Sequence, residues 1–136
     1  MARVAPLLVA VLLLAACGGG GNSETDQVKQ AWTSFFSTKT SVTAHVALLQ
    51  DGPRFKSVIA DYLGNPLASG LNAKVKSVTL EGSNKAKVVY SIAIGNTSLG
   101  EQTGYAYKQN GEWLVGYAGL CKLAALGGPT PAACKP

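Results

Sequence analysis

The chain has 136 residues, a formal net charge of +5 and three cysteines. A chain of this length suits one domain with its own hydrophobic core. Its lysines are scattered and form no basic run, so the charge pattern argues against a nucleic acid as partner.

Residues 1–16 are predicted to be a signal peptide. Arg3 makes the start positive, and the stretch from Val4 to Ala16 is apolar and uncharged. That stretch is shorter than the roughly 20 residues that a membrane-spanning helix needs. Its charge order and length are those of a secretory signal. The alternative is a buried N-terminal helix.

The next residues resemble a lipid-attachment signal. Leu14-Ala15-Ala16-Cys17 is similar to the lipobox of bacterial lipoproteins, in which the cysteine is acylated and becomes the first mature residue. The resemblance implies lipidation at Cys17 and a location on the outer face of the cytoplasmic membrane. Residues 17–23 would then be a tether, since four successive glycines disfavour helix and strand. The mature charge of +4 would suit anionic headgroups near the anchor.

Three helices are predicted after the tether. Ser23 is a suitable N-cap, and a first helix to about Ser37 follows from the helical spacing of Val28, Ala31, Trp32, Phe35 and Phe36. A second helix is predicted from Val42 to Gln50. A third runs from Pro53 to Leu63 and stops at Gly64-Asn65-Pro66. Residues 67–73 are predicted to be a loop.

The pattern becomes strand-like at Lys74. Two Val-rich runs, 74–81 and 85–94, flank Gly82-Ser83-Asn84, which predicts Leu80 opposite Ala86 and Val78 opposite Val88. Thr79 and Lys87 then face water. The opposite, inward face carries Val78, Leu80, Ala86, Val88, Ile92 and Ile94.

Asn110-Gly111 predicts a two-residue hairpin turn between a strand over about 99–109 and the next strand. Lys108 is then opposite Trp113, Tyr105 opposite Gly116, and Gly104 opposite Tyr117, so that each tyrosine covers a glycine. The predicted fold class is α+β, with N-terminal helices packed on a curved, cone-like antiparallel meander of four strands over residues 24–126.

Two cysteines remain if Cys17 carries the lipid. Cys121 and Cys134 are predicted to form a disulfide, because an exported chain meets an oxidising environment. The disulfide would tie residues 127–136 back to the domain. A metal site is the alternative, but two cysteines and the distant His45 supply too few ligands, so no metal is predicted.

The chain also resembles the C-terminal domain of the mycobacterial low-molecular-weight secreted antigen family. The likeness covers roughly residues 24–126 and lies in the Trp32 helix, in Asn72-Ala73-Lys74-Val75-Lys76-Ser77-Val78 and in Gly111-Glu112-Trp113-Leu114-Val115. It implies a nuclear-transport-factor-like (SnoaL-like) cone, which can hold a pocket between helices and sheet. Some proteins with such cones are isomerases or cyclases, which use a carboxylate or histidine base.

Tyr90 shares the inward face with Val88 and Ile92, so it is a candidate pocket residue together with Trp32 and Phe36. The alternative for Tyr90 is a role in core packing. His45 is expected to be solvated at a helix border. The candidates for acid–base chemistry are His45, Asp51, Asp61, Tyr90, Tyr105, Tyr107 and Tyr117.

The sequence has no nucleophile motif and no phosphate-binding loop. No catalytic residue and no cofactor are therefore predicted. The first hypothesis is a membrane-anchored, non-catalytic module that binds a small apolar ligand or an envelope protein. The alternatives are a small isomerase- or hydratase-like enzyme with Tyr90 in the cone, and an accessory domain of a cell-envelope complex.

Overall fold

A computed structural model describes residues 23–126 and 128–136. The predicted signal peptide, Cys17 and most of the predicted tether lie outside the described residues. Within the described residues, no helix is long and apolar enough to cross a membrane.

The described chain contains four helices and four strands. The helices are α1 (Glu24–Phe35), α2 (Val42–Leu48), α3 (Lys56–Gly64) and α4 (Tyr117–Leu126). The strands are β1 (Leu71–Leu80), β2 (Lys85–Ile94), β3 (Thr97–Gln109) and β4 (Glu112–Val115). Short 3-10 turns cover Gly52–Phe55, Pro66–Gly70 and Ala132–Cys134.

Local signals account for the first helices. The hydroxyl of Ser23 accepts a hydrogen bond from the N–H of Asp26 (3.2 Å), which caps α1. The predicted apolar stripe of α1 is buried. The hydroxyl of Ser41 caps α2 in the same way through the N–H of Ala44 (3.2 Å). All three predicted N-terminal helices are present, with ends that differ by a few residues.

The sheet is antiparallel, with the order β1-β2-β3-β4. The predicted pairs Leu80–Ala86, Val78–Val88 and Lys108–Trp113 are all present. Asn110 and Gly111 have φ values of 52° and 80°, as the predicted hairpin turn requires. Register shifts in β1 and at the end of β2 bend the sheet. The α+β, cone-like fold class is confirmed.

Two predictions at the ends of β1 were wrong. Leu71 pairs with Ile94, so β1 begins three residues before Lys74, and part of the predicted loop is strand. Leu80, predicted to face the core, is 40% exposed. Leu80 is the last residue of β1. A side chain on the inward face of the sheet is buried only where another element packs over it.

The prediction that Tyr117 covers Gly104 was also wrong. Tyr117 begins α4, and its ring stacks on Phe55 with a centroid distance of 5.1 Å. Gly104 is instead covered by Trp32 and Tyr90 from the concave side of the sheet. Gly116 does lie opposite Tyr105, since the N–H of Gly116 donates to the carbonyl of Tyr105 (2.7 Å).

The C-terminal segment is tied back to the domain. The predicted disulfide between Cys121 and Cys134 is present, with a Cα–Cα distance of 5.6 Å. The guanidinium of Arg54 also donates a hydrogen bond to the carbonyl of Ala133 (2.7 Å). These two links hold residues 133 and 134 against the core beside α4.

We predict that Gly104→Ala lowers the free energy of unfolding by about 1–3 kcal/mol, as overpacking of a core does. A Cβ at position 104 would lie 2.9 Å from Cζ2 of Trp32 and 3.3 Å from Cε1 of Tyr90. Urea unfolding followed by tryptophan fluorescence measures the change.

Gly64→Ala is the matched control for this prediction, because a Cβ there meets nothing within 4 Å. This control should leave stability unchanged or raise it by up to about 1 kcal/mol, since alanine suits a helix better than glycine. Equal stability of the Gly104→Ala variant and the wild type would contradict the close packing of α1 on the sheet.

Candidate functional site

The interior of the cone is filled by aromatic side chains near Tyr90. The rings of Trp32 and Tyr90 have a centroid distance of 4.6 Å, and Phe36 lies 5.7 Å from Tyr90. Trp32 and Phe36, two of the predicted pocket residues, therefore lie in the core behind Tyr90. Burial raises the pKa of the Tyr90 hydroxyl above its usual value.

An open space remains at the end of the sheet where β1 and β3 begin. It has a volume of about 100 Å³ and lies between the sheet, the turn Pro66–Gly70 and α4. We call it the leucine slot. Its walls are Tyr62, Asn65, Leu67, Ala68, Leu71, Ile94, Leu99, Leu123 and Leu126.

Exposed leucines are concentrated at the slot. Four large apolar side chains are exposed in the described residues, and three of them line it: Leu67 (61% exposed), Leu99 (39%) and Leu126 (70%). Single exposed apolar residues are normal on a protein surface, but a contiguous group around a concave space is typical of a binding site. The leucine slot is therefore the candidate functional site.

A second space adjoins the slot. Its lining is also mainly apolar but includes the polar side chains of Tyr90, Gln102 and Lys122, from which we name it the polar cleft. This polar cleft has a volume of about 290 Å³ and shares Leu123 and Leu126 with the slot. Its other walls are Tyr90, Ile92, Gln102, Lys122 and Ala125. Of the predicted pocket residues, Tyr90 is thus the one that lines a cleft.

Tyr62 lies between the slot and a third space, on the other side of α4, that Asp61 and Asn65 also line. The hydroxyl of Tyr62 is buried and has no hydrogen-bond partner in the described part of the chain. Burial raises the pKa of this hydroxyl.

The prediction that His45 is solvated was wrong. Its side chain is fully buried, and its ring lies 5.4 Å from that of Phe35. Nδ1 is 2.8 Å from the carbonyl oxygen of Ser41, which can only accept, so Nδ1 carries the proton. Nε2 has no partner among the described residues. The packing of α1 against α2 buries His45. The spacing of apolar residues alone places His45 at the border of the apolar face of α2.

The other candidates are dispersed. Asp51 lies in the turn before Pro53, 3.4 Å from Arg54, and Asp61 is exposed on α3. Tyr105 and Tyr107 are half-buried on strand β3, and the ammonium of Lys85 lies over the ring of Tyr105. In the described chain, no carboxylate or imidazole lines the cleft beside Tyr90, and no side-chain group could hold a metal ion.

Sequence reasoning did not predict α4, which supplies Leu123 and Leu126 to the slot. The helical spacing of Tyr117, Leu120, Cys121 and Ala124, followed by glycines at 127 and 128, is the signal that would have indicated this helix. Leu67 and Leu99 carried no such signal, since each is an isolated apolar residue in a polar stretch.

We predict that Tyr62→Phe makes the domain more resistant to alkaline pH. With a raised pKa, folded Tyr62 keeps its proton where the unfolded chain, at a pKa near 10.0, loses it. Folding stability is therefore unaffected by this group at neutral pH and falls as pH rises above about 10. The variant should lose less stability than the wild type between about pH 9 and pH 11, measured by urea unfolding.

At neutral pH, Tyr62→Phe should be as stable as the wild type or slightly more stable, because it removes a hydroxyl that has no partner. A clear loss of stability at neutral pH would show that the hydroxyl is hydrogen-bonded and would contradict this description of the slot.

A search of curated proteins gives no match. Residues 22–131 match the family model described as low molecular weight antigen MTB12, C-terminal domain. The match includes the four helices and the four strands, and it confirms the resemblance noted around Trp32 and Trp113. The chain therefore belongs to the family of the C-terminal domain of the low molecular weight antigen MTB12.

Proposed function

We propose that this protein is a lipid-anchored extracytoplasmic lipoprotein whose domain is a non-catalytic module that binds a small apolar ligand in the leucine slot. The observation that carries the proposal is the convergence of Leu67, Leu99 and Leu126 on one concave space. They come from three separate parts of the chain.

The energetics favour an apolar occupant. Full burial of a leucine side chain is worth about 1.5–3 kcal/mol, and the three exposed leucines have not gained that energy in the folded chain. A ligand that covers them gains part of it. The slot is smaller than most pockets for drug-sized molecules, so we propose a single aliphatic chain as its occupant.

The position of the slot suits a domain anchored at its N-terminus. The ammonium of Lys108 pairs with Glu24 (2.5 Å), so α1 begins near the end of β3. Leu99 lies nine residues earlier on β3, which is roughly 30 Å along a strand. The proposed tether, residues 17–23, spans at most about 25 Å. The slot and the attachment point of the tether therefore lie toward opposite ends of β3.

Support for the isomerase or hydratase alternative is weaker. That chemistry needs a base beside the tyrosine. His45 is instead buried against Phe35, and Asp61 is exposed on α3. The hypothesis of an accessory domain in an envelope complex stays a prediction.

We predict that the double substitution Leu67→Gln and Leu126→Gln weakens binding of octanol, a neutral aliphatic probe, by about tenfold. Both side chains are mostly exposed, so their replacement removes ligand contacts while the core stays intact. Isothermal calorimetry measures the affinity, and circular dichroism checks the fold.

Leu80→Gln is the matched control, because Leu80 is the fourth exposed leucine and lies outside the slot. This control should bind octanol like the wild type. Absence of octanol binding to the wild type, or equal weakening by Leu80→Gln, would overturn the slot as the binding site.

The anchor has its own test. Cys17→Ser should abolish incorporation of a fatty-acid label and either release the protein from the membrane fraction or trap the unprocessed precursor, because serine cannot accept the lipid. The measurement is membrane fractionation of cells that express each form. Cys121→Ser serves as the control for loss of a cysteine and should still be labelled. Fatty-acid labelling of Cys17→Ser, or unchanged membrane retention of its processed form, would contradict the proposed anchor.

A further inference from the structure

The leucine slot and the polar cleft are adjoining spaces that share two wall residues and differ in their other walls. Leu123 and Leu126 of α4 line both. At the slot end the walls are leucines and an isoleucine, with the edges of Tyr62 and Asn65. In the cleft, the walls include three polar side chains: Tyr90, Gln102 and Lys122.

These polar groups are placed where the fold does not require them. Gln102 pairs with Tyr90 across β2 and β3, and its neighbours of the same parity on β3 are Gly100 and Gly104. Its side chain makes no hydrogen bond to another described residue, and Lys122 makes no ion pair in the described chain. Their amide and ammonium groups are available to a ligand.

The charges around these two spaces are asymmetric. In the described chain, no acidic side chain lines the slot or the cleft. Glu101, the residue before Gln102, is paired with Lys76 (3.2 Å) and has the opposite strand parity. Asp61 lines the third space on the far side of Tyr62. Lys122 is therefore the one charged side chain that lines the slot or the cleft in the described chain.

Resting on the proposed function, we propose that the ligand is a single-chain amphiphile with an anionic head group. Its aliphatic chain lies in the leucine slot, and its carboxylate or phosphate lies in the polar cleft beside Lys122 and Gln102. Lys122 is a specificity-determining residue that distinguishes an anionic head from a neutral or cationic one. The small volumes of slot and cleft exclude a two-chain lipid held in full.

The test compares probes with the same aliphatic chain and different heads: octanoate, octanol and octyltrimethylammonium. At low ionic strength, where screening is weak, the wild type should bind octanoate about three- to fivefold more tightly than octanol, as expected for an exposed charge pair. Lys122→Gln should bring the two affinities together. Lys122→Glu should reverse the order, so that octyltrimethylammonium binds most tightly. Isothermal calorimetry measures each affinity.

Lys74→Glu is the control for net charge, because it changes the charge as Lys122→Glu does but lies on the exposed face of β1, outside slot and cleft. It should keep the wild-type preference for octanoate. A phosphate-headed probe, octyl phosphate, separates the two candidate heads. The proposal is supported if octanoate or octyl phosphate binds more tightly than octanol and this preference depends on Lys122.

The outcomes separate this inference from the proposed function. Equal binding of octanol and octanoate, or a preference unchanged in Lys122→Glu, would overturn the anionic head and leave the apolar slot standing. No binding of any probe would overturn both. A dimer that forms in sedimentation experiments and is lost in Leu126→Gln would instead make a second copy the occupant of the slot.

Discussion

The contact between Trp32 of α1 and the bare backbone of Gly104 on β3 determines how closely the helical layer approaches the sheet. Trp32 is fully buried, and any Cβ at position 104 would overlap its ring. Tyr90 completes this contact from β2, and Gly119 of α4 approaches the same two rings, at 3.5 Å from each for an added Cβ. At this contact two glycines face two large rings, whereas a helical layer and a sheet usually pack large side chains against each other. Interiors pack densely, and among the described residues these rings fill the centre of the cone.

The location of the open space follows from that filled interior. Because aromatic rings close the centre of the cone, the concave face is open at the end where β1 and β3 begin, and α4 covers part of it. Cys121 lies one residue before Lys122 on α4, and its disulfide to Cys134 ties the following segment to the same helix. Arg54 holds that segment as well, through Ala133. The predicted disulfide therefore ties back the C-terminal segment and also supports α4, which forms one wall of the proposed binding site.

The packing favours apolar contact over hydrogen bonding in several places. The indole N–H groups of Trp32 and Trp113, the hydroxyl of Tyr62 and Nε2 of His45 are buried without partners in the described chain. Three of these four belong to the central core or its border with α2. Tyr62 lines the leucine slot, and its unpaired hydroxyl can therefore gain a partner when a ligand binds there.

The sequence alone determined the elements whose signals are local. The α1 stripe around Trp32, the hairpin at Asn110-Gly111 and the register at Gly82-Ser83-Asn84 depend on neighbours close in the chain, and all are present. The α+β class and the Cys121–Cys134 pair also followed from it. Tertiary structure decided the burial of His45, the exposure of Leu80 and the place of Tyr117. It also assembled Leu67, Leu99 and Leu126 into one slot. Periodicity shows which side of an element a residue occupies, but burial and convergence depend on which distant element packs against that side.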